Sequence, residues 1–273
     1  MVHPAISRGV LHPGSLPTFH RETVTGDVAA YVRWFWIPEW NLEPGRTSRQ
    51  HVIGYPACNL VVSDAVTEIS GPTTRVSYRD LTGSGWAMGA LLRPAAVPLL
   101  AADVASLRDG SRMIDAVELT VAVRSAMRGE GSGSDRRGAA VAAFSEWLLN
   151  RLGDPSGEAL LANRMLEAAE SDPALCSVTD LAAHLHVSTR TVQRLAAKYV
   201  GVSAAFLIRR RRLQEAAEKL RHNPARDLTE LAHEVGYADH AHLTRDFRSV
   251  LGFTPSSYRA SLARVAPAAH SLT

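Results

Sequence analysis

The sequence predicts an α+β chain in two parts, a β-rich N-terminal domain with flanking helices and an all-α C-terminal domain. Three observations carry this. Up to about residue 95, short aromatic or β-branched runs alternate with Pro, Gly and Asn breaks, as strands do. From 95 to about 170 the pattern turns helical. Beyond 173 the chain repeats itself: Leu181 matches Leu231 and Leu185 matches Val235 at an offset of 50 residues. After one inserted residue, Val192 matches Leu243, Arg194 matches Arg245 and Gly201 matches Gly252 at an offset of 51.

The strand candidates come first. They are "AAYVRWFWIPEW" (29–40), "HVIGYPACNLVVSD" (51–64) and "TEISGPTTRVSYRD" (67–80). Strand alternation puts Trp34 and Trp36 on one face and Phe35 on the other. Next, "AAVPLLAADVASL" leads into "SRMIDAVELTVAVRSAMR", where Met113, Ile114, Val117 and Val121 recur at helical spacing. "GEGSGSDRRG" (129–138) reads as a flexible loop from its Gly and Ser content. Two amphipathic helices follow, one bearing Phe144, Trp147, Leu148 and Leu152, the other Leu160, Leu161, Met165 and Leu166. Their apolar stripes fit either packing within the chain or pairing with a second copy. Ser171-Asp172-Pro173 marks the domain boundary, which gives domains at 1–171 and 172–264 and a tail at 265–273.

Length and composition bound the function. A chain of 273 residues predicts two domains. The net charge of +3 is unevenly spread: residues 172–273 carry 14 Lys and Arg against 9 Asp and Glu, and the remainder 16 against 18. A basic part joined to a slightly acidic one points to a polyanion-binding module attached to something else. No apolar run approaches the ~18 residues of a membrane span, and the first residues lack a secretory-type apolar core, so the expected location is the cytoplasm. Cys58 and Cys176 are far apart, which supports neither a disulfide framework nor a zinc knuckle. His3, His12, His20 and His51 are scattered, and no H-x-H cluster suggests a metal-dependent β-barrel enzyme. Neither a Gly-rich phosphate loop nor a G-x-S-x-G nucleophile turn is present. No cofactor is expected.

Each copy of the repeat reads as a helix-turn-helix, and "FLIRRRRLQEAAEKLR" (206–221) forms a helix between them. In the second copy, Asp227 or Thr229 opens a helix, Gly236 ends it at a positive-φ position, and Asp239 caps the next. Leu243, Phe247 and Val250 then make the buried stripe. His240, Ala241, Thr244, Arg245 and Arg248 face outward, a small, polar and cationic surface suited to a major groove. In the first copy Ser188 caps, Val192, Leu195 and Tyr199 face inward, and Arg190, Gln193 and Arg194 face outward. A metal reading of His240 and His242 fails on the same helix. Residues two apart diverge by about 200°, whereas helical ligand pairs lie three or four apart. "HEVGY" likewise is not H-E-x-x-H.

The second copy and its tail, "LTELAHEVGYADHAHLTRDFRSVLGFTPSSYR", resemble the DNA-binding domain of AraC/XylS-type bacterial transcription regulators. The matching positions are Ala232, Gly236-Tyr237, Phe247, Gly252-Phe253-Thr254-Pro255 and Tyr258-Arg259, with Arg212-Leu213 and Ala216 in the linker helix. The resemblance covers about residues 173–262. It implies two units that insert one helix each into successive major grooves. Carried onto this chain, the DNA-binding positions are Arg190, Gln193, Arg194, His240, Ala241, Thr244 and Arg245. The first unit departs from the pattern: His186 replaces the turn glycine, Ala196 an aromatic, and Ala204 the proline that opens the next helix. Tyr199 is the residue available to refill the lost volume. Of the run Arg209–Arg212, two are expected to face solvent, one of them as a phosphate contact, while Arg212 packs its stem along the linker helix.

The N-terminal half resembles the regulatory half of a subgroup of these regulators, in "GPTTR" (71–75) and "GALLRPAAVPLLAADVASLRDGSRMIDAVEL" (89–119). That resemblance implies a β-rich, cupin-like unit followed by helices. Trp34, Trp36, Tyr55 and Trp86 then either line an apolar effector pocket or form sheet core, and Arg75 and Arg93 are candidates to anchor an anionic ligand. The expected partners are double-stranded DNA, a small-molecule effector, RNA polymerase and a second copy of the chain, with no membrane. The alternative from another class is an enzyme with a β-barrel active site fused to a DNA-binding module.

Overall fold

The structure, a computed structural model, describes residues 18–52, 55–75 and 77–265. The sequence-based readings of the first residues, of His3 and His12 and of the tail beyond 265 fall outside these. Strands β1 (Thr18–Thr23), β2 (Val32–Asn41), β4 (Asn59–Ser63), β5 (Thr67–Ser70), β7 (Ser84–Leu92) and β8 (Ser111–Met113) form an antiparallel sheet in the order β1-β2-β7-β4-β5-β8. A separate two-stranded ribbon pairs β3 (Thr47–Val52) with β6 (Ser77–Thr82).

Strand alternation decides which face of the sheet is buried. Phe35 and Ile37 of β2, Leu60 and Val62 of β4, Ile69 of β5 and Met88 and Ala90 of β7 are fully buried. Cross-strand pairs such as Phe35 with Ala90 and Leu60 with Ile69 set their common face. Helices α2 (Val117–Arg128) and α3 (Gly133–Leu152) cover that face with Leu119, Val123 and Met127, and with Ala140, Phe144 and Leu148. The Phe35 and Phe144 rings meet at 5.3 Å. Thr67 and Thr120 exchange a hydroxyl bond at 2.6 Å across the same seam.

Two local expectations fail here. Met113 lies in the edge strand β8, and Val117 and Val121 point to solvent, because the stripe that meets the core is Leu119, Val123 and Met127. The segment 129–138 is not wholly a loop. Ser132 caps α3 by accepting from the Asp135 backbone N–H, and Asp135 accepts from Ser132, so the helix starts inside the Gly/Ser-rich stretch.

After a short α1 (Val97–Leu100), β8, α2 and α3, helix α4 (Gly157–Ser171) runs between the two parts of the chain. Asn163 fixes it, accepting from the Ala95 N–H at 2.9 Å and donating to the Ala30 carbonyl at 2.8 Å. Its other neighbours are the helices of the C-terminal domain. These are α5 (Val178–His184), α6 (Thr189–Leu195) continued by a π-helical turn (Ala196–Val200), α7 (Ala204–His222), α8 (Leu228–Glu234), α9 (His240–Leu251) and α10 (Pro255–Val265). Thus α5 and α6 form one helix-turn-helix, α8 and α9 another, and α7 joins them.

Candidate nucleic-acid interface

The second helix of each helix-turn-helix is opened by its cap. Ser188 accepts from the Thr191 N–H at 3.1 Å at the start of α6, and Asp239 from the His242 N–H at 2.7 Å at the start of α9. Asp227 caps α8 in the same way, and its bonds from the Glu230 and Thr229 N–H groups hold its carboxyl below the ordinary range. The turn between α8 and α9 passes through Gly236 at φ 76°. In the first unit the equivalent place is held by His186 at φ 55°, so the chain keeps the left-handed turn without glycine.

The inward stripes are buried as their spacing predicts. Val192 and Leu195 of α6 and Leu243, Phe247 and Val250 of α9 lie at or near zero exposure. In the second unit Phe247 packs on Phe253 at 5.8 Å and Tyr258 at 6.2 Å, so the tail motif closes this core. In the first unit Ala196 stands opposite Phe247 in the repeat, and the buried Tyr199 comes from the π-helical turn beside it.

The outward faces carry the DNA-binding candidates. Arg190, Gln193 and Arg194 on α6 and Ala241 and Arg245 on α9 are exposed, as is Arg248. His240 and Thr244 are half-buried and bonded to each other at 3.1 Å. His242 diverges from them, setting its ring edge-on to Tyr237 at 5.0 Å and lying 3.8 Å from Asp246. No group of three His, Cys, Asp or Glu side chains that could hold a metal exists among the described residues.

Of the arginine run, only Arg209 fits the expectation of solvent exposure, 3.9 Å from Asp246. Arg210 is buried, with its guanidinium 4.8 Å over the Tyr55 ring, and Arg211 is buried and donates to the Leu175 carbonyl at 3.2 Å. The physical reason is that α7 is enclosed: Tyr55 of the N-terminal half closes over Arg210, and the Leu175 carbonyl, just after α4, meets Arg211. Arg212 does pack inward, donating to the Val235 carbonyl at 2.5 Å and lying 4.4 Å over the Tyr237 ring.

Arg194 is engaged more closely than its sequence shows. It donates to Glu158 of α4 at 2.6 Å, while Lys198 donates to the same carboxylate at 2.7 Å and the Tyr199 hydroxyl at 3.0 Å. These bonds, that of Lys198 foremost, hold the Glu158 carboxyl down at about 2. Neither Glu158 nor Lys198 was singled out as functional from the sequence. The only available signal was that Lys198 follows Arg194 by one helical turn.

The proposed ligand residues do not form one site. Trp34 and Tyr55 meet edge-on at 6.0 Å, with the Arg21 guanidinium 3.8 Å over the Trp34 ring. Trp36 shares the Trp34 face but donates to Asn59 at 2.9 Å. Trp86 pairs with Glu39 across the strands, which places it on the opposite, core-facing side. Arg75 is exposed beside Asp109 at 3.8 Å, and Arg93 lies 3.6 Å from Glu167. Around Tyr55 lies a polar knot: Arg33 donates to Glu170 and to the Tyr55 hydroxyl, and Tyr55 donates to Glu170 at 3.1 Å. Burial, with the Glu170 charge second, raises the Tyr55 pKa. The cavity beside the knot, touched by Tyr55 and Arg93, measures about 30 Å³, room for little more than one water.

Comparison with known proteins bears on this geometry. Residues 181–261 match the family model described as a helix-turn-helix domain. The C-terminal part of the chain is an AraC-type helix-turn-helix domain. Residues 11–112 match a domain of unknown function (DUF6597). The chain is 31% identical over 104 residues to an uncharacterized HTH-type transcriptional regulator, YfiF, of Bacillus subtilis (strain 168). That match covers 38% of this chain and 32% of the relative, so the chain spans about a third of the curated relative's length. Among solved structures, a DNA-binding transcriptional dual regulator from Escherichia coli K-12 is 20% identical with a TM-score of 0.34, covering 38% of this chain and 93% of that one. ToxT from Vibrio cholerae O395 is 13% identical with a TM-score of 0.38, over 89% and 96% of the two chains. In the AraC-type domain of this chain, the matched segment holds α6, α9 and the linker helix α7 between them.

Proposed function

We propose that this protein is a sequence-specific DNA-binding transcription regulator whose two helix-turn-helix units read adjacent major grooves of one duplex. The observation that carries the reading is the repeated build of α6 and α9. Each is capped at its start, buries an apolar stripe, and turns a cationic face outward from opposite ends of one linker helix. Arg190, Gln193 and Arg194 would contact one groove, and His240, Ala241, Thr244 and Arg245 the next. Arginine pairs with guanine edges or phosphates, and Ala241 suits a thymine methyl.

The N-terminal domain is the control element in this reading. A small-molecule effector or pairing with a second copy would change how the DNA-binding domain is presented, and through it the contacts with RNA polymerase. The helices once open to pairing, α3 and α4, bury Phe144, Leu148, Met165 and Leu166 within the chain, so their stripes are largely used internally.

The test is Arg245→Ala, assayed by fluorescence anisotropy against DNA fragments recovered by genome-wide mapping of bound sites. Specific binding should weaken by roughly 1–3 kcal/mol with little change in melting temperature. Affinity should also fall steeply with salt, by a log–log slope of about 0.9 per phosphate neutralised. Unchanged affinity in Arg245→Ala would remove α9 from the interface as drawn.

A further inference from the structure

The two reader units are attached to the rest of the chain in different ways. The second unit touches the linker helix α7 and the C-terminal helix α10 but, among the described residues, makes no extensive contact with the N-terminal half. The first unit is docked onto that half. Helix α4 packs along α5, α6 and α7, and the π-helical turn after α6 sits against the segments at 94–107. Arg108 donates twice to the Gly201 carbonyl, at 3.1 and 2.7 Å. Gly201 itself approaches so closely that a Cβ there would stand 2.9 Å from the Val104 carbonyl oxygen.

Within this docked surface, one carboxylate lies against the cationic end of the reader helix. Glu158 accepts from Arg194, Lys198 and the Tyr199 hydroxyl, three donors from consecutive turns of α6 and its continuation. Two cations and a hydroxyl converging on one anion are the donors a DNA phosphate would use. Arg190 and Gln193, nearer the start of α6, stay exposed and carry no ion pair among the described residues.

We propose that Glu158 is an internal competitor for the DNA backbone: it occupies the Arg194/Lys198 end of the first reader helix, so full engagement of that unit requires the contact with α4 to open. The second unit, free of such a contact, docks first, and the first follows only when Glu158 is displaced. Salt and polyanions open the contact, because both donors and acceptor are solvent-accessible at its rim. The proposal rests on the DNA-binding reading above.

The experiment measures duplex DNA affinity of the full chain by anisotropy, at fixed salt, for four proteins: the unaltered chain, Glu158→Gln, Glu158→Asp and Glu146→Gln. Glu158→Gln removes the charge, and Glu158→Asp keeps it but draws the carboxylate back by one methylene. Glu146 is exposed on α3, so Glu146→Gln removes an equal charge elsewhere in the regulatory half. Both Glu158 variants should bind roughly 5- to 20-fold more tightly, and Glu146→Gln should bind as the unaltered chain does. Arg194→Ala should also cost more affinity in the Glu158→Gln background than in the unaltered chain, because Arg194 is released there.

Equal affinity in all four proteins, or an equal gain in Glu146→Gln, overturns the proposal. So does a lower melting temperature with no gain in affinity, which would make Glu158 a structural tether. Arg245→Ala reports separately on DNA binding itself, since α9 makes no contact with Glu158. A loss there with no gain at Glu158 rejects only the competition.

Discussion

The two turns of the repeat should respond oppositely to the same kind of change. His186 holds φ 55° and Gly236 holds φ 76° at equivalent places. A side chain in the left-handed region costs roughly 1–2 kcal/mol, and histidine tolerates that region better than most residues. Glycine gives back about 0.5–1 kcal/mol through the freedom it adds to the unfolded chain. For His186→Gly, whose imidazole is exposed, the net is a gain of about 0.5–1 kcal/mol. At about 2–4 °C per kcal/mol for a chain of this size, the melting temperature should rise by about 1–4 °C.

Gly236→Ala reverses the sign. The strain returns, and a Cβ there would stand 3.0 Å from an Arg212 Nη atom. That guanidinium bonds the Val235 carbonyl at 2.5 Å and lies over Tyr237, so moving it loosens a second contact. The expected loss is about 1–2 kcal/mol. Urea unfolding of the full chain, followed by far-UV circular dichroism, compares the midpoints. If His186→Gly lowers the midpoint, or both changes shift it in the same direction, the assignment of strain to the first turn is wrong.

Three further outcomes follow from the packing and the charges. Asn163→Ala leaves the Ala95 N–H and Ala30 carbonyl without their partner and should lower stability by roughly 2–4 kcal/mol, measured by the same unfolding assay. Burial pushes the Cys58 thiol up to about 12, whereas Cys176 is exposed. A thiol reagent on the native protein should therefore modify Cys176 alone, and both cysteines after unfolding. Glu158 is held at about 2, below its ordinary value of 4.5, so its contribution is complete above that ordinary value and is lost as pH falls toward 2. The stability difference between the unaltered chain and Glu158→Gln should be constant from about pH 6 to 8 and shrink progressively as pH falls from the carboxyl's ordinary value of 4.5 toward about 2.

Much of the C-terminal domain can be read from the sequence because its determinants are local. Ser188, Asp227 and Asp239 cap within three residues, and Leu243, Phe247 and Val250 recur at the helical period, so short windows hold the information. What escapes is set by contacts far along the chain. Arg210 and Arg211 look like solvated cations beside Arg209, and only the closure of Tyr55 and Leu175 over α7 sends them inward. Glu158 and Arg194 are 36 residues apart, a distance no periodicity spans. At Val117 and Val121 the helical period is real but its phase misleads, since the sheet and α3 lie on the side of Leu119, Val123 and Met127, while Met113 falls before the helix in β8. At 129–138 the Gly and Ser content masked the reciprocal cap of Ser132 and Asp135.

The unequal docking of the two units also bears on how such a protein could be retargeted. The outer face of α6 answers to two partners, the groove it would read and the carboxylate of α4, so a substitution at Arg194 alters recognition and internal fit together. The outer face of α9 answers to one. His240, Ala241, Thr244 and Arg245 can be randomised with little consequence for the N-terminal half. New operator preferences should be more accessible through the second unit, with the first kept as the fixed point of the pair.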